Sequence, residues 1–129
     1  MNESPNVRVA LDAMGGDFAP KETVAGGVAA AEKGVQVFLV GDSGQINEEL
    51  DRHKVDNLPI GVVPSVGVIE EGEPPIQALK EKPQASILVA AGLVKSGKAD
   101  ALVSMGSTGA TMAAAAFAFG LMDGIERPA

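Results

Sequence analysis

Val7-Arg8-Val9-Ala10-Leu11-Asp12-Ala13-Met14-Gly15-Gly16-Asp17-Phe18-Ala19-Pro20 is the stretch on which the fold turns. It begins as a short apolar run, Val7 to Leu11, and passes directly into an Asp/Gly turn. Pro20 stands where a helix tolerates it, near the first turn, because the amide proton it lacks would be unpaired there anyway. Lys21 to Lys33 then places Val24, Val28 and Ala31 on one face, and Gly34 supplies a C-terminal stop. Buried strand, glycine loop and helix in that order make the opening of a strand–helix–strand unit.

The pattern repeats outward. Val35 to Val40, Ile60 to Val63 and Ala101 to Ser104 are short apolar runs bounded by Gly, Asp or Pro, as strands covered on both faces of a parallel sheet tend to be. Between them lie segments with helical spacing. Ser43 to His53 carries Ile46 and Leu50 one turn apart, and Ile87 to Ser96 carries Ile87, Ala90, Ala91 and Val94, with Ser86 as its expected N-cap and Gly97 as its stop. Thr108 to Phe119 sets Met112, Ala115, Ala116 and Phe119 on one stripe. The prediction is an α/β fold, a three-layer α/β/α sandwich on a mainly parallel sheet with right-handed crossovers. Pro64 to Pro83 breaks the rhythm with Pro74, Pro75 and the acids Glu70, Glu71 and Glu73 around the apolar pair Val68 and Ile69. It is expected to be a mobile excursion carrying one short helix, Ile76 to Lys80. With no internal repeat or linker, residues 1–129 are expected to be a single α/β domain.

Composition narrows the function classes. Seventeen acidic against 10 basic residues leave a net charge of −7, spread along the chain, which argues against a nucleic-acid or anionic-membrane surface. Zero cysteines exclude a disulfide scaffold, a thiolate metal site and a cysteine nucleophile, and permit a reducing cytoplasm. An aromatic content of 3% leaves no stacking platform for single-stranded nucleic acid. Met1 to Asn6 is polar, without the apolar core of a secretory signal. The uncharged run Ala101 to Met122 is interrupted by Ser, Thr and Gly, and its continuous part from Met112 is too short to span a bilayer.

In open parallel sheets, ligands bind beyond the carboxyl ends of strands, so the loops after each strand carry the chemistry. The first is Asp12 to Pro20. Gly15 and Gly16 let backbone amides approach a ligand, and Asp12 and Asp17 can orient a hydroxyl, hold a metal or cap the loop's own amides; a plain tight turn is the competing reading. The second is Ser104-Met105-Gly106-Ser107-Thr108-Gly109-Ala110, which opens a helix built from small residues. Free amides, the positive end of the helix dipole and three hydroxyls suit phosphate or another oxyanion, although Ser107 and Thr108 could equally be ordinary caps. Lys82, beside Lys80, is a candidate for meeting an anionic substrate, against a plain surface pair. His53 reads as a solvated helix end, the glutamates as a solvated acidic loop, the five methionines as core filling and Arg127 as structural.

Val9-Ala10-Leu11-Asp12-Ala13-Met14-Gly15-Gly16-Asp17, with Ala19-Pro20-Lys21, resembles the opening signature of the phosphate acyltransferases of bacterial phospholipid synthesis. The likeness continues in order through Leu39-Val40-Gly41-Asp42, Val68-Ile69-Glu70, Leu88-Val89-Ala90-Ala91, Val94 to Asp100, Ser104 to Gly109, and Gly124-Ile125 with Arg127-Pro128-Ala129. The family usually has His at the place of Phe18, Asn at the place of Ser107, and a fuller basic run around Lys80 and Lys82. Its members are more than twice this length, so the chain resembles an N-terminal portion.

The resemblance implies a fold shared with isocitrate and isopropylmalate dehydrogenases and transfer of a fatty acyl group from acyl carrier protein to orthophosphate. Asp12, Asp17, Ser107 and Thr108 are then the expected catalytic residues, and Gly15, Gly16, Ser104, Gly106, Gly109 and Lys82 the expected substrate-binding residues. The scheme needs no cofactor and no metal. It also implies a cytoplasmic homodimer with weak peripheral membrane association. Two alternatives remain open: a catalytically silent anion-binding domain, and a phosphotransacetylase-like enzyme using a coenzyme A thioester.

Overall fold

The computed structural model describes residues 7–70 and 72–120. Glu71 and the Gly124-to-Ala129 stretch with Arg127 lie outside the described residues. The elements run β1 (Arg8–Asp12), α1 (Lys21–Glu32), β2 (Gln36–Gly41), α2 (Ser43–Leu50), β3 (Ile60–Pro64), α3 (Pro75–Glu81), α4 (Ser86–Lys95), β4 (Ala101–Ser104) and α5 (Thr108–Phe119). The four strands form one all-parallel sheet in the order β3-β2-β1-β4. Its register sets Asp12 between Val40 and Ser104, so the ends of β1 and β4 lie side by side.

Alternation along the strands feeds two separate cores, as period-2 geometry demands. Leu11, Val37 and Leu39 face α1 and α2, where they pack on Val24, Val28, Ala31, Ile46 and Leu50. Ala10 and Val40 face the other way, onto Ala90 of α4. A third cluster joins α3, α4 and α5 through Ala78, Ile87, Ala91, Ala110 and Ala114, and includes Ile69. The result is the expected three-layer sandwich. Close approach of α1 to the sheet depends on Gly27, where a Cβ would come within 2.8 Å of Leu39 Cδ2 and 3.3 Å of Leu11 Cδ2.

Four details depart from expectation. Helix α2 ends at Leu50 rather than His53, and His53 instead closes a tight turn by donating its amide to the Leu50 carbonyl at 2.9 Å. Ser86 is not the N-cap of α4: Ala85 holds that place, and the Ser86 amide donates to the Gly67 carbonyl at 3.2 Å. The buried face of α5 is Ala110 and Ala114 rather than the Met112–Phe119 stripe, and Phe119 is exposed. The smallest side chains face inward because α5 packs directly on α3 and α4. The segment after β3 is anchored rather than free, since Ser65 and Val66 donate their amides to Gly41 and Gln84 at 2.9 and 2.8 Å, and Ile69 is buried. Among the described residues no helix is long and apolar enough to cross a membrane.

Candidate functional site

Running from β1 to β2 to β3 carries the chain across the sheet in one direction, and β4 then returns to the opposite side of β1. The switch point between β1 and β4 is where parallel α/β sheets open a crevice at their carboxyl ends. Both glycine loops picked out from the sequence emerge there.

Asp12 joins them. Its carboxylate is buried, 2% exposed, at the last residue of β1. Oδ1 accepts the Met14 amide at 3.1 Å, which curls the first loop back over the strand end. Oδ2 accepts the Ser104 hydroxyl at 3.1 Å, and Ser104 Oγ in turn accepts the Gly106 amide at 3.1 Å. A single carboxylate therefore fixes both loops, through bonds of the charge-assisted kind that are stronger than neutral ones. Thr23 supports the first loop from α1 by donating its hydroxyl to the Ala13 carbonyl.

The two loops touch through glycine. A Cβ on Gly15 would lie 2.8 Å from the Gly106 amide nitrogen and 3.1 Å from Gly106 Cα, backbone that cannot swing aside. Gly16 has φ +103°, a conformation open to glycine and rarely to other residues. Beyond this contact lies a cleft of about 260 Å³, lined by Gly15, Gly16 and Asp17 from one loop and Met105, Gly106 and Ser107 from the other. Met14 and the segment Val68-Ile69-Glu70 complete it.

At the start of α5, Ser107 is the N-cap: its Oγ accepts the Ala110 amide at 3.3 Å. The Thr108 and Gly109 amides precede the first intrahelical bond and have no acceptor among the described residues. Thr108 and Gly109 are exposed, and a Cβ on Gly109 would meet Pro75 Cγ at 3.1 Å. They begin the helix beside the cleft without lining it. Asp12 and Ser104 lie beneath it as struts.

Lys82 stands apart from the cleft. Its Nζ donates to Glu73 Oε1 at 2.6 Å and to the Val68 carbonyl at 2.9 Å, and the ammonium holds the Glu73 carboxyl below the usual carboxylate range. Lys82 thereby pins the segment that forms the third wall. That wall is what residue patterns missed. The buried Ile69 anchors it, and the apolar pair Val68-Ile69 amid acids was the available signal.

Electrostatically the cleft is built from dipoles rather than cations. Asp17 and Glu70 line it, and among its described lining residues there is no Lys or Arg.

Fold and crevice together define the class: a parallel α/β protein with paired glycine loops at its topological switch point. Within that class the chain belongs to the family described as "Fatty acid synthesis protein", whose model matches residues 7–129. It is 51% identical over 123 residues to a protein named phosphate acyltransferase from Acaryochloris marina, covering 95% of this chain and 36% of that protein. Proteins of the same name from Herpetosiphon aurantiacus and Syntrophomonas wolfei are 49% and 50% identical, each across 95% of this chain and across 33% and 39% of their own lengths. The chain thus spans little more than a third of the curated relatives it matches.

Proposed function

We propose that this chain is the N-terminal portion of an acyltransferase that moves a fatty acyl group from acyl carrier protein to orthophosphate, giving acyl phosphate for phospholipid synthesis. Its family and the names of its relatives support the reaction class. The observation that carries the site is the Asp12–Ser104–Gly106 link, which brings two amide-bearing loops onto one cleft.

In this reading an oxygen of orthophosphate attacks the thioester carbonyl carbon. A C–O bond forms, the C–S bond breaks, and the departing thiolate takes up a proton. The protein contributes position and stabilisation of the tetrahedral oxyanion rather than a nucleophile of its own. The amides of Gly16 and Ser107, which have no acceptor among the described residues, face the oxygens, Thr108 and Gly109 add the positive end of α5, and Asp12 holds the loops in register. Asp17 shapes the wall, and Lys82 acts through the segment it pins. The cation that balances phosphate comes from the remainder of the longer enzyme, a cytoplasmic homodimer with weak peripheral membrane association.

A second reading is favoured by the absence of Lys and Arg from the cleft lining among the described residues: residues 1–129 alone form an anion-binding module without turnover. Incubating the full-length enzyme with palmitoyl acyl carrier protein and phosphate, and trapping acyl phosphate with hydroxylamine, tests the proposal. Product that requires both substrates and exceeds that from palmitoyl coenzyme A is expected. Equal or greater product from the coenzyme A thioester assigns the enzyme to the phosphotransacetylase kind. No product from either overturns acyl transfer.

A further inference from the structure

A second cavity, an apolar groove of about 620 Å³, opens on the α1 side of the sheet, within the size range of clefts that hold small ligands. Val9, Leu11, Val37 and Val103 floor it, and Gly26 and Ala30 of α1 form its wall. From Thr23 to Ala30 it follows α1 for about 10 Å, at 1.5 Å per helical residue.

Three observations say what it takes. Gly15, Gly16, Asp17 and Met105 line both this groove and the polar cleft, so the two spaces adjoin at the glycine loops. An occupant of both must be an amphiphile, with an oxyanion or carbonyl at the loops and hydrocarbon along the sheet. Next, the groove presents two large apolar side chains to solvent, Phe18 at 74% and Met105 at 68% exposure, and Met105 also lines the cleft. Hydrocarbon entering there would bury surface that is otherwise costly to leave wet. Finally, Gly26 lies inside α1, where glycine is a poor helix former, and no atom lies within 4 Å of the Cβ it lacks. Packing demands Gly27 but not Gly26. What a side chain at 26 would occupy is the groove.

We propose that this groove receives the hydrocarbon chain of the acyl donor, with its thioester end at the Gly15–Gly16 turn. The assignment rests on the acyl-transfer reading above and adds to it the site that senses acyl chain length. The first methylenes run between α1 and β1, and Gly26 and Ala30 set how far a long chain can pass.

The test compares hexadecanoyl and butyryl thioesters of acyl carrier protein as substrates of the full-length enzyme and its Gly26→Phe and Ala30→Phe variants. The expected result is a fall of tenfold or more in the hexadecanoyl-to-butyryl ratio of kcat/KM in both variants. An unchanged ratio overturns the groove while leaving acyl transfer standing. A wild-type enzyme inactive on both thioesters overturns acyl transfer and the groove with it. A second measurement needs no variant: a photoreactive diazirine on the mid-chain carbons of the acyl donor is expected to label peptides containing Val9, Gly26 or Val103. Labelling confined to residues beyond 129 would show that the groove is covered by the rest of the protein, and would overturn the proposal.

Discussion

Asp12 is the residue on which both loops depend. It is buried, yet both its oxygens are paired, one to the Met14 amide and one to the Ser104 hydroxyl. Removing a buried partner strands the donors left behind, which costs about 1–3 kcal/mol. Asp12→Ala is therefore expected to destabilise the full-length enzyme by about that much, and Ser104→Ala by about 1 kcal/mol. The double variant should fall short of the sum, because both changes break the same link. Urea denaturation of the four proteins measures this, and strict additivity would mean the two side chains act separately. Gly15→Ala tests the adjoining contact. Its Cβ would press on the Gly106 backbone at 2.8 Å, so the loops must part, and the phosphate KM should rise tenfold or more with the fold intact. Both loops were legible as candidate residues because Asp, Gly and Ser after apolar runs signal functional turns. Their joining was not. It spans 92 positions in sequence and follows from strand order, which local pattern does not encode.

Among the elements, the segment between β3 and α4 changes most from its sequence reading. Its prolines and acids look like a solvated excursion, but the buried Ile69 and the Lys82–Glu73 pair hold it against the cleft. Lys82 lowers the Glu73 carboxyl below its usual range. This pair therefore supports the segment above the ordinary carboxylate pKa of about 4.3, and the support is lost as pH falls through the lowered folded value. The Glu70 amide donates to Glu73 Oε1 at 2.8 Å and reports on it. Glu73→Gln is expected to speed hydrogen exchange at that amide a few-fold at pH 7, with the gap from wild type closing as pH falls below about 4. A gap independent of pH would contradict the ion-pair account. The helices were readable to within a few residues wherever bulky apolar side chains recur, as with Val24, Val28 and Ala31 in α1. In α5 nearly every residue is small and apolar, so periodicity carries no direction, and the buried face was decided by neighbouring helices instead.

Across the whole molecule, alternating strands and helices made the parallel sandwich legible, while the order β3-β2-β1-β4 emerged only in three dimensions. That order creates the crevice, in an acidic chain of net charge −7 whose described cleft lining holds backbone amides and no Lys or Arg, and the proposed function has the anion met by those amides. The central claim is that the two glycine loops converge on an oxyanion. Titrating the full-length enzyme, labelled with ¹⁵N at glycine, serine and threonine, with inorganic phosphate tests it most directly. Saturable amide shifts concentrated at Gly15, Gly16, Gly106, Ser107, Thr108 and Gly109 are predicted. Saturable shifts that leave those six amides unmoved would contradict it.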